Sequence, residues 1–333
     1  MKLHKLGEDP AKDTVIYEEK DNAYFVGIGE SQSRKFVEIG AGDHVTSEIR
    51  LIPADDPLAE PLLVAPRDPG VEYDVAHAGD YLFIRTNDTH KNSRLARAPL
   101  DAPGRDNWVE LEPGGDHRYL RGVEAFKDFL VVSERIEGID RLRLLFHKNG
   151  EITGDHVIEF EEDVYTAGLG ENPEFDVSTI QVGYTSMVTP STVYDFDVKA
   201  KTLTERKVQE IPSGYDKSAF VTERVTVTAR DGAKVPVSIV HGKDFKRDGS
   251  QPLHLYGYGA YGLGMPPAFS TSRLSLLQRG FAFAIAHIRG GKDKGFAWYE
   301  NGKMFSKKNT FSDFVAAADA LVAEHFTSYG KIV

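Results

Sequence analysis

The sequence predicts two unlike parts in tandem, a partial β-propeller of about four blades followed by the opening stretch of a parallel α/β domain. From about residue 23 to residue 211, short β-type runs alternate with turn clusters, and no long amphipathic helix interrupts them. The apolar starts of these runs recur near Phe25, Tyr73, Leu120 and Tyr165, at spacings of 48, 47 and 45 residues. After Phe220 the pattern becomes strand, helix, strand, helix and an incipient strand, the order of a parallel sheet, whose crossovers need helices.

The expected strands of the first part are Ala23–Gly27, Lys35–Ile39, Glu48–Ile52, Tyr81–Arg85, Phe129–Ser133, Leu142–His147, Thr179–Tyr184 and Thr192–Phe196. Turn clusters such as Asp68-Pro69-Gly70, Pro113-Gly114-Gly115 and Lys148-Asn149-Gly150 separate them. A four-strand unit of this period buries both faces only by stacking on its neighbours, which is the propeller arrangement. An open arc of four would leave its end blades uncovered, so the count points to an incomplete ring or to closure with four. Residues 1–220 are therefore expected to form the propeller part, and residues 221–333 a second domain.

In that second part, Val221–Ala229 and Val235–Val240 read as a hairpin around Asp231-Gly232. Lys243–Gln251 is a charged linker, Ser272–Arg279 a helix, and Phe281–His287 an apolar run suited to a strand buried on both faces. Thr310 and Asp313 have the spacing of a capping box at a helix start. Phe311, Phe314, Val315, Ala318, Leu321 and Val322 then fall on one helical stripe. Lys331-Ile332-Val333 begins another apolar segment.

Composition narrows the function. With 333 residues, 41% of them hydrophobic and 27% charged, the chain is of ordinary globular type. The absence of cysteine removes disulfides, thiolate nucleophiles and Cys-ligated zinc. A net charge of −11 weighs against nucleic-acid binding. From Gln251 onward nine Lys/Arg face five Asp/Glu, so a mildly basic segment follows an acidic body that could steer cationic ligands or serve only solubility. No apolar leader or membrane-length apolar run is present, so no membrane association is expected. A cytoplasmic location is expected, with the periplasm as the alternative.

A hydrolase built on an α/β sheet would carry Gly-x-Ser-x-Gly, and that motif does not occur here. What does occur is Tyr256-Gly257-Tyr258-Gly259-Ala260-Tyr261-Gly262, followed by Ile288-Arg289-Gly290-Gly291. Glycines after a buried strand allow close backbone approach, and a tyrosine hydroxyl held there could donate to a developing oxyanion. The plainer interpretation is tight turns with aromatic packing. His287, ending an apolar strand, is expected to be a hydrogen-bonded structural histidine. The acidic run Glu159, Glu161, Glu162 and Asp163 is a solvated turn or a face for a cationic peptide. Gly257, Gly259 and Gly262 lack the spacing of a dinucleotide fingerprint, and no His-Glu-x-x-His supports zinc hydrolysis.

From Tyr256 onward the chain resembles the prolyl oligopeptidase family of serine peptidases, its oligopeptidase B branch most closely. The resemblance is carried by Tyr256 to Gly262, Ser272-Arg273-Leu274, Ile288-Arg289-Gly290-Gly291, Trp298-Tyr299 and Asn309 to Phe314, in family order. Earlier blocks, such as Val15 to Lys20, Tyr184 to Pro190 and Ala229 to Gly232, follow in register. The resemblance implies a propeller capping an α/β-hydrolase domain with a Ser-Asp-His triad. It further implies a chain that begins within the propeller, so that residues 1–220 are its C-terminal part, ends before the nucleophile elbow and is inactive alone.

By the same resemblance Tyr258 is one half of the oxyanion hole, and Tyr261, near the primary specificity pocket, and Arg289, on a mobile loop, are substrate-binding residues. The family's usual Gly-Gly-Glu-Leu-Gly continuation is here Gly291-Lys292-Asp293-Lys294-Gly295, and two acidic positions of the branch are Pro266 and Ala268. A dibasic preference is weakened accordingly. The implied activity is cleavage of short, cationic peptides after Arg or Lys, without metal or organic cofactor. The alternatives are prolyl or acyl-peptide specificity, or a non-catalytic propeller module that binds peptides or proteins.

Overall fold

The computed structural model describes residues 1–333. Four antiparallel sheets of four strands follow one another along the chain, each a meander with strands paired in chain order. The first comprises Phe25–Glu30, Phe36–Gly42, Ser47–Pro53 and Leu62–Leu63. The second comprises Tyr73–Ala78, Tyr81–Thr86, Arg94–Pro99 and Val109–Glu112. Arg118–Ala125, Phe129–Ile136, Ile139–Lys148 and Glu151–Ile158 form the third, and Tyr165–Leu169, Thr179–Ser186, Thr192–Asp197 and Thr202–Val208 the fourth. The unit starts read from the repeat thus open the first, second and fourth sheets, and Leu120 lies two residues inside the third.

Successive side chains of a strand point to opposite faces, so a blade between two others must be apolar on both. Tyr81–Thr86 shows this. Leu82 and Ile84 enter a core shared with Leu51 and Val64 of the first sheet, whereas Phe83 packs with Leu120, Leu130 and Leu145 of the third. Phe129, Leu142 and Leu144 meet Ile180, Val182 and Phe196 of the fourth sheet in the same way. The first strand of the first sheet has no such cover, and Phe25 and Ile28 are exposed.

The remaining strands form one mixed sheet: β1 (Phe220–Thr228), β2 (Lys234–Gly242), β3 (Leu253–Tyr256) and β4 (Ala282–Ala286), in the spatial order β1-β2-β4-β3. β3 and β4 are parallel, and Ile332 bridges in parallel to Leu253. The hairpin β1-β2 joins the same sheet, with β2 antiparallel to β4. The order and the parallel core are those of the start of an α/β-hydrolase sheet, preceded by a partial propeller. Val164, Met187 and Val188 of the propeller part share a core with Val240, Ile285 and the buried Leu274 and Leu277 of α1 (Thr271–Leu277). α2 spans Phe296–Glu300 and α3 spans Lys308–Ala323. No helix is long and apolar enough to cross a membrane.

Two expectations about α3 are corrected. Thr310 is the helix's third residue, and its Oγ1 donates to the carbonyls of Arg289 (2.7 Å) and Gly302 (3.1 Å), so Thr310 and Asp313 do not make a capping box. The buried face is Thr310, Asp313, Ala317 and Leu321, with Phe314 and Ala318 partly buried beside it, while Phe311 and Val315 are exposed. The helix is rotated relative to its apolar stripe because Asp313 is drawn inward by Arg289.

Candidate active site

β3 ends at Tyr256, and the glycines after it let the chain run against its neighbours. A Cβ on Gly257 would meet the Phe314 ring at 3.1 Å, and one on Gly259 would lie 2.6 Å from Ile288 Cγ1. Gly259 and Gly262 also have φ of +58° and +72°, the left-handed region that glycine enters without steric cost. The loop then folds back on the turn after β4: the Gly262 amide donates to the Gly290 carbonyl (2.9 Å) and the Lys292 amide to the Gly262 carbonyl (3.0 Å). Lys307, its ammonium pKa lowered by burial, donates to the Gly259 carbonyl at 2.6 Å.

This double loop presents two tyrosines. Tyr258 is 43% exposed and its hydroxyl makes no hydrogen bond within the chain. Tyr261 is 84% exposed and has φ of +54°, a conformation costing an L-residue about 1–2 kcal/mol. The Leu263 amide closes that turn onto the Ala260 carbonyl at 2.8 Å.

Arg289 occupies a different position from the one expected. It is only 5% exposed. Its Nε and Nη2 donate to Asp313 at 2.8 and 2.6 Å, its Nη1 and Nη2 to Asp231 at 2.6 and 3.1 Å, and its backbone N–H also reaches Asp313 at 3.0 Å. Hydrogen bonds that the guanidinium donates to Asp313, against burial and with help from Asp231, hold it firmly protonated. These partners take up the guanidinium within the chain, on Asp231 and Asp313. The next residue, Gly290, accepts from the Gly262 amide of the Tyr258 loop, and Arg289 itself ties α3 to the β1-β2 turn. Asp231 and Asp313, separated from it by 58 and 24 residues, carried no sequence signal for this role.

Sequence reasoning also missed a Ser-His-Asp chain. Ser238 Oγ lies 2.8 Å from His287 Nε2, and His287 Nδ1 lies 3.2 Å from Asp293 Oδ1. Burial raises the Asp293 carboxyl pKa, but the hydrogen bond to His287 and the charges of His287 and Arg135 outweigh it and leave it below the ordinary value. The distances suit a nucleophile, base and orienting acid, yet Ser238, His287 and Asp293 are 0%, 2% and 4% exposed. No substrate carbonyl reaches Ser238, so the chain is a structural strut and His287 the hydrogen-bonded histidine expected.

Beyond the loop a cleft of about 1390 Å³ opens between the third and fourth sheets and the α/β part. Gly262, Leu263, Gly264 and Lys292 form its wall on the loop side, and Arg121, Arg135 and Arg141 stand among its propeller-side residues.

Residues 1–209 match the N-terminal β-propeller domain of prolyl oligopeptidase, and residues 267–333 match the prolyl oligopeptidase family. Dipeptidyl aminopeptidase BI of Pseudoxanthomonas mexicana is 41% identical over 334 residues, spanning 100% of this chain and 45% of that protein. Protease 2 of Moraxella lacunata is 37% identical, over 99% of this chain and 47% of that protein. Among solved structures, oligopeptidase B from Leishmania major superposes with a TM-score of 0.92 at 34% identity, over 99% of this chain and 47% of its own. Oligopeptidase B from Trypanosoma brucei, closed with covalently bound antipain, gives 0.93 at 31% identity, over 99% and 48%. The chain spans about half the length of the curated relatives it matches.

Proposed function

The chain belongs to the prolyl oligopeptidase family, and from that premise we propose that it furnishes the oxyanion-binding side of a serine oligopeptidase that cleaves short peptides after Arg or Lys. The supporting observation is Tyr258, carried past the end of a parallel strand on a glycine loop with its hydroxyl unengaged. There a phenol can donate to the negative oxygen formed when an acyl carbon is attacked. Tyr261 would border the side-chain pocket before the scissile bond. The attacking group is not found within these 333 residues, which contain no Gly-x-Ser-x-Gly, so the chain by itself is expected to be inactive. Division into a propeller part, residues 1–220, and a catalytic part, residues 221–333, belongs to the same proposal. It is supported by the strand β1 that starts at Phe220 directly after a short turn. The expected location is the cytoplasm.

The test is a chimera in which those parts of the Pseudoxanthomonas relative that lie outside the match are joined to this chain. It is expected to cleave arginyl and lysyl reporter peptides, and Tyr258→Phe to lower kcat on the order of 10²–10³-fold with the fold intact. An unchanged kcat in that variant removes Tyr258 from the reaction. Faster cleavage of a prolyl reporter overturns the proposed specificity, and no cleavage of any reporter favours a peptide-binding module.

A further inference from the structure

We infer that the cleft between propeller and loop binds a carboxylate of the peptide, and that Lys292 and Arg141 are the residues that hold it. The inference rests on the proposed peptide substrate and adds a specificity element to it.

The chain is acidic overall, yet the lining of the cleft is not. Arg121, Arg135, Arg141, Lys207 and Lys292 line it against Glu134, Asp140 and Glu210. Two of those carboxylates are already neutralised. Asp140 is shared by Arg121 and Arg135, each at 2.8 Å, and also accepts from Thr166. Glu134 stands directly across from Arg141 in the strand register, but its oxygens go to Arg143 at 3.3 Å and Arg118 at 3.4 Å. The third, Glu210, is exposed, as is Lys207.

Arg141 and Lys292 therefore face the cleft with no carboxylate within 4 Å, and both are only partly exposed. Lys292 is nevertheless held in place. Its ammonium lies 5.0 Å from the Phe296 ring centroid, 5.8 Å from Tyr299 and 5.9 Å from Tyr119. Aromatic faces orient a cation without cancelling its charge. The Lys292 backbone is pinned to Gly262, four residues past Tyr258, so the charge has a defined place relative to the reacting end of the site. Positioned, unneutralised cations in a partly desolvated cleft select an anion. On a peptide that anion is a carboxylate, either the free C-terminus or an acidic side chain.

Binding to the 333-residue chain tests this independently of catalysis. Three fluorescein-labelled octapeptides are titrated by anisotropy at low salt: one with a free C-terminal carboxylate, the same sequence amidated, and the amidated sequence with one internal Glu. The free-acid or the Glu peptide is expected to bind at least about fivefold more tightly than the amide, and which of them does identifies the source of the carboxylate. The advantage should shrink as salt is raised. Lys292→Gln and Arg141→Gln should each reduce it, and the double variant abolish it.

Equal affinity of all three peptides, or no binding to a chain with native circular dichroism, overturns the inference. So does an advantage that survives the double variant. The proposed peptidase function is decided separately by Tyr258→Phe in the chimera, so the two failures are distinguishable.

Discussion

The loop that carries Tyr258 depends on one buried ion network, and removing Asp313 should reveal how much. Asp313 is 0% exposed and accepts three hydrogen bonds from Arg289, two from the guanidinium and one from the backbone. In Asp313→Ala the guanidinium stays buried, with only Asp231 to meet it, whose side chain is 48% exposed. Breaking a buried pair by removing one partner costs about 3–5 kcal/mol, and the surviving pair to Asp231 should hold the loss near the lower figure. Replacing both partners with apolar residues, Arg289→Met with Asp313→Leu, removes the stranded charge. It leaves mainly the Arg289 amide without an acceptor, a loss of about 1–3 kcal/mol. Asp231→Ala, at the exposed end, should cost about 1 kcal/mol or less.

Trp298 supplies the signal for these measurements, since its ring lies 5.8 Å from the Arg289 guanidinium. In a Trp108→Phe background it is the sole tryptophan, and urea unfolding followed by its fluorescence reports the local transition. The order of stability should be wild type, Asp231→Ala, the double variant, then Asp313→Ala. A double variant less stable than Asp313→Ala, or an Asp313→Ala midpoint equal to wild type, would refute the assignment of Arg289 and Asp313 as the tie that holds the loop.

Other outcomes follow from the same structure. Burial, and then the charges of Glu124 and Asp74, push the Glu38 carboxyl up to about 7 from 4.5. Its folded pKa exceeds its unfolded one, so its contribution is fully present below about pH 4.5 and is lost as pH rises through about 7. Glu38→Gln should then raise the thermal midpoint at pH 8 but not at pH 4.5, by an amount equivalent to at most about 3 kcal/mol. Gly290→Ala would place a Cβ 2.0 Å from the Gly259 carbonyl oxygen at φ of +102°. It should cost more than about 3 kcal/mol or separate the two loops, seen as lost cooperativity in the same melt. Ser238→Ala leaves His287 Nε2 without its partner and should cost about 1–3 kcal/mol, with kcat of the chimera unchanged. A large fall in kcat would instead make the buried serine part of the reaction.

Local pattern determined most of the architecture. The two-residue alternation and the 45 to 48 residue spacing placed the blades because a strand's faces and a blade's neighbours both follow from nearby residues. Glycine and tyrosine types likewise marked the loop after β3, where a Cβ would crowd Phe314 and Ile288. Tertiary structure decided the rest. The apolar stripe of α3 mispredicted its buried face because a single charged contact, Arg289 to Asp313, outweighed Phe311 and Val315, which remain in solvent. The same contact draws Arg289 into a buried ion network that its position in the sequence did not show. Ser238, His287 and Asp293 came together from β2, the end of β4 and the turn beyond it. Whether Lys292 and Arg141 are neutralised depends on which carboxylates their neighbours have already taken. Hydrogen bonds and ion pairs are settled by distances between residues far apart in the chain, and no periodicity of the sequence encodes those distances.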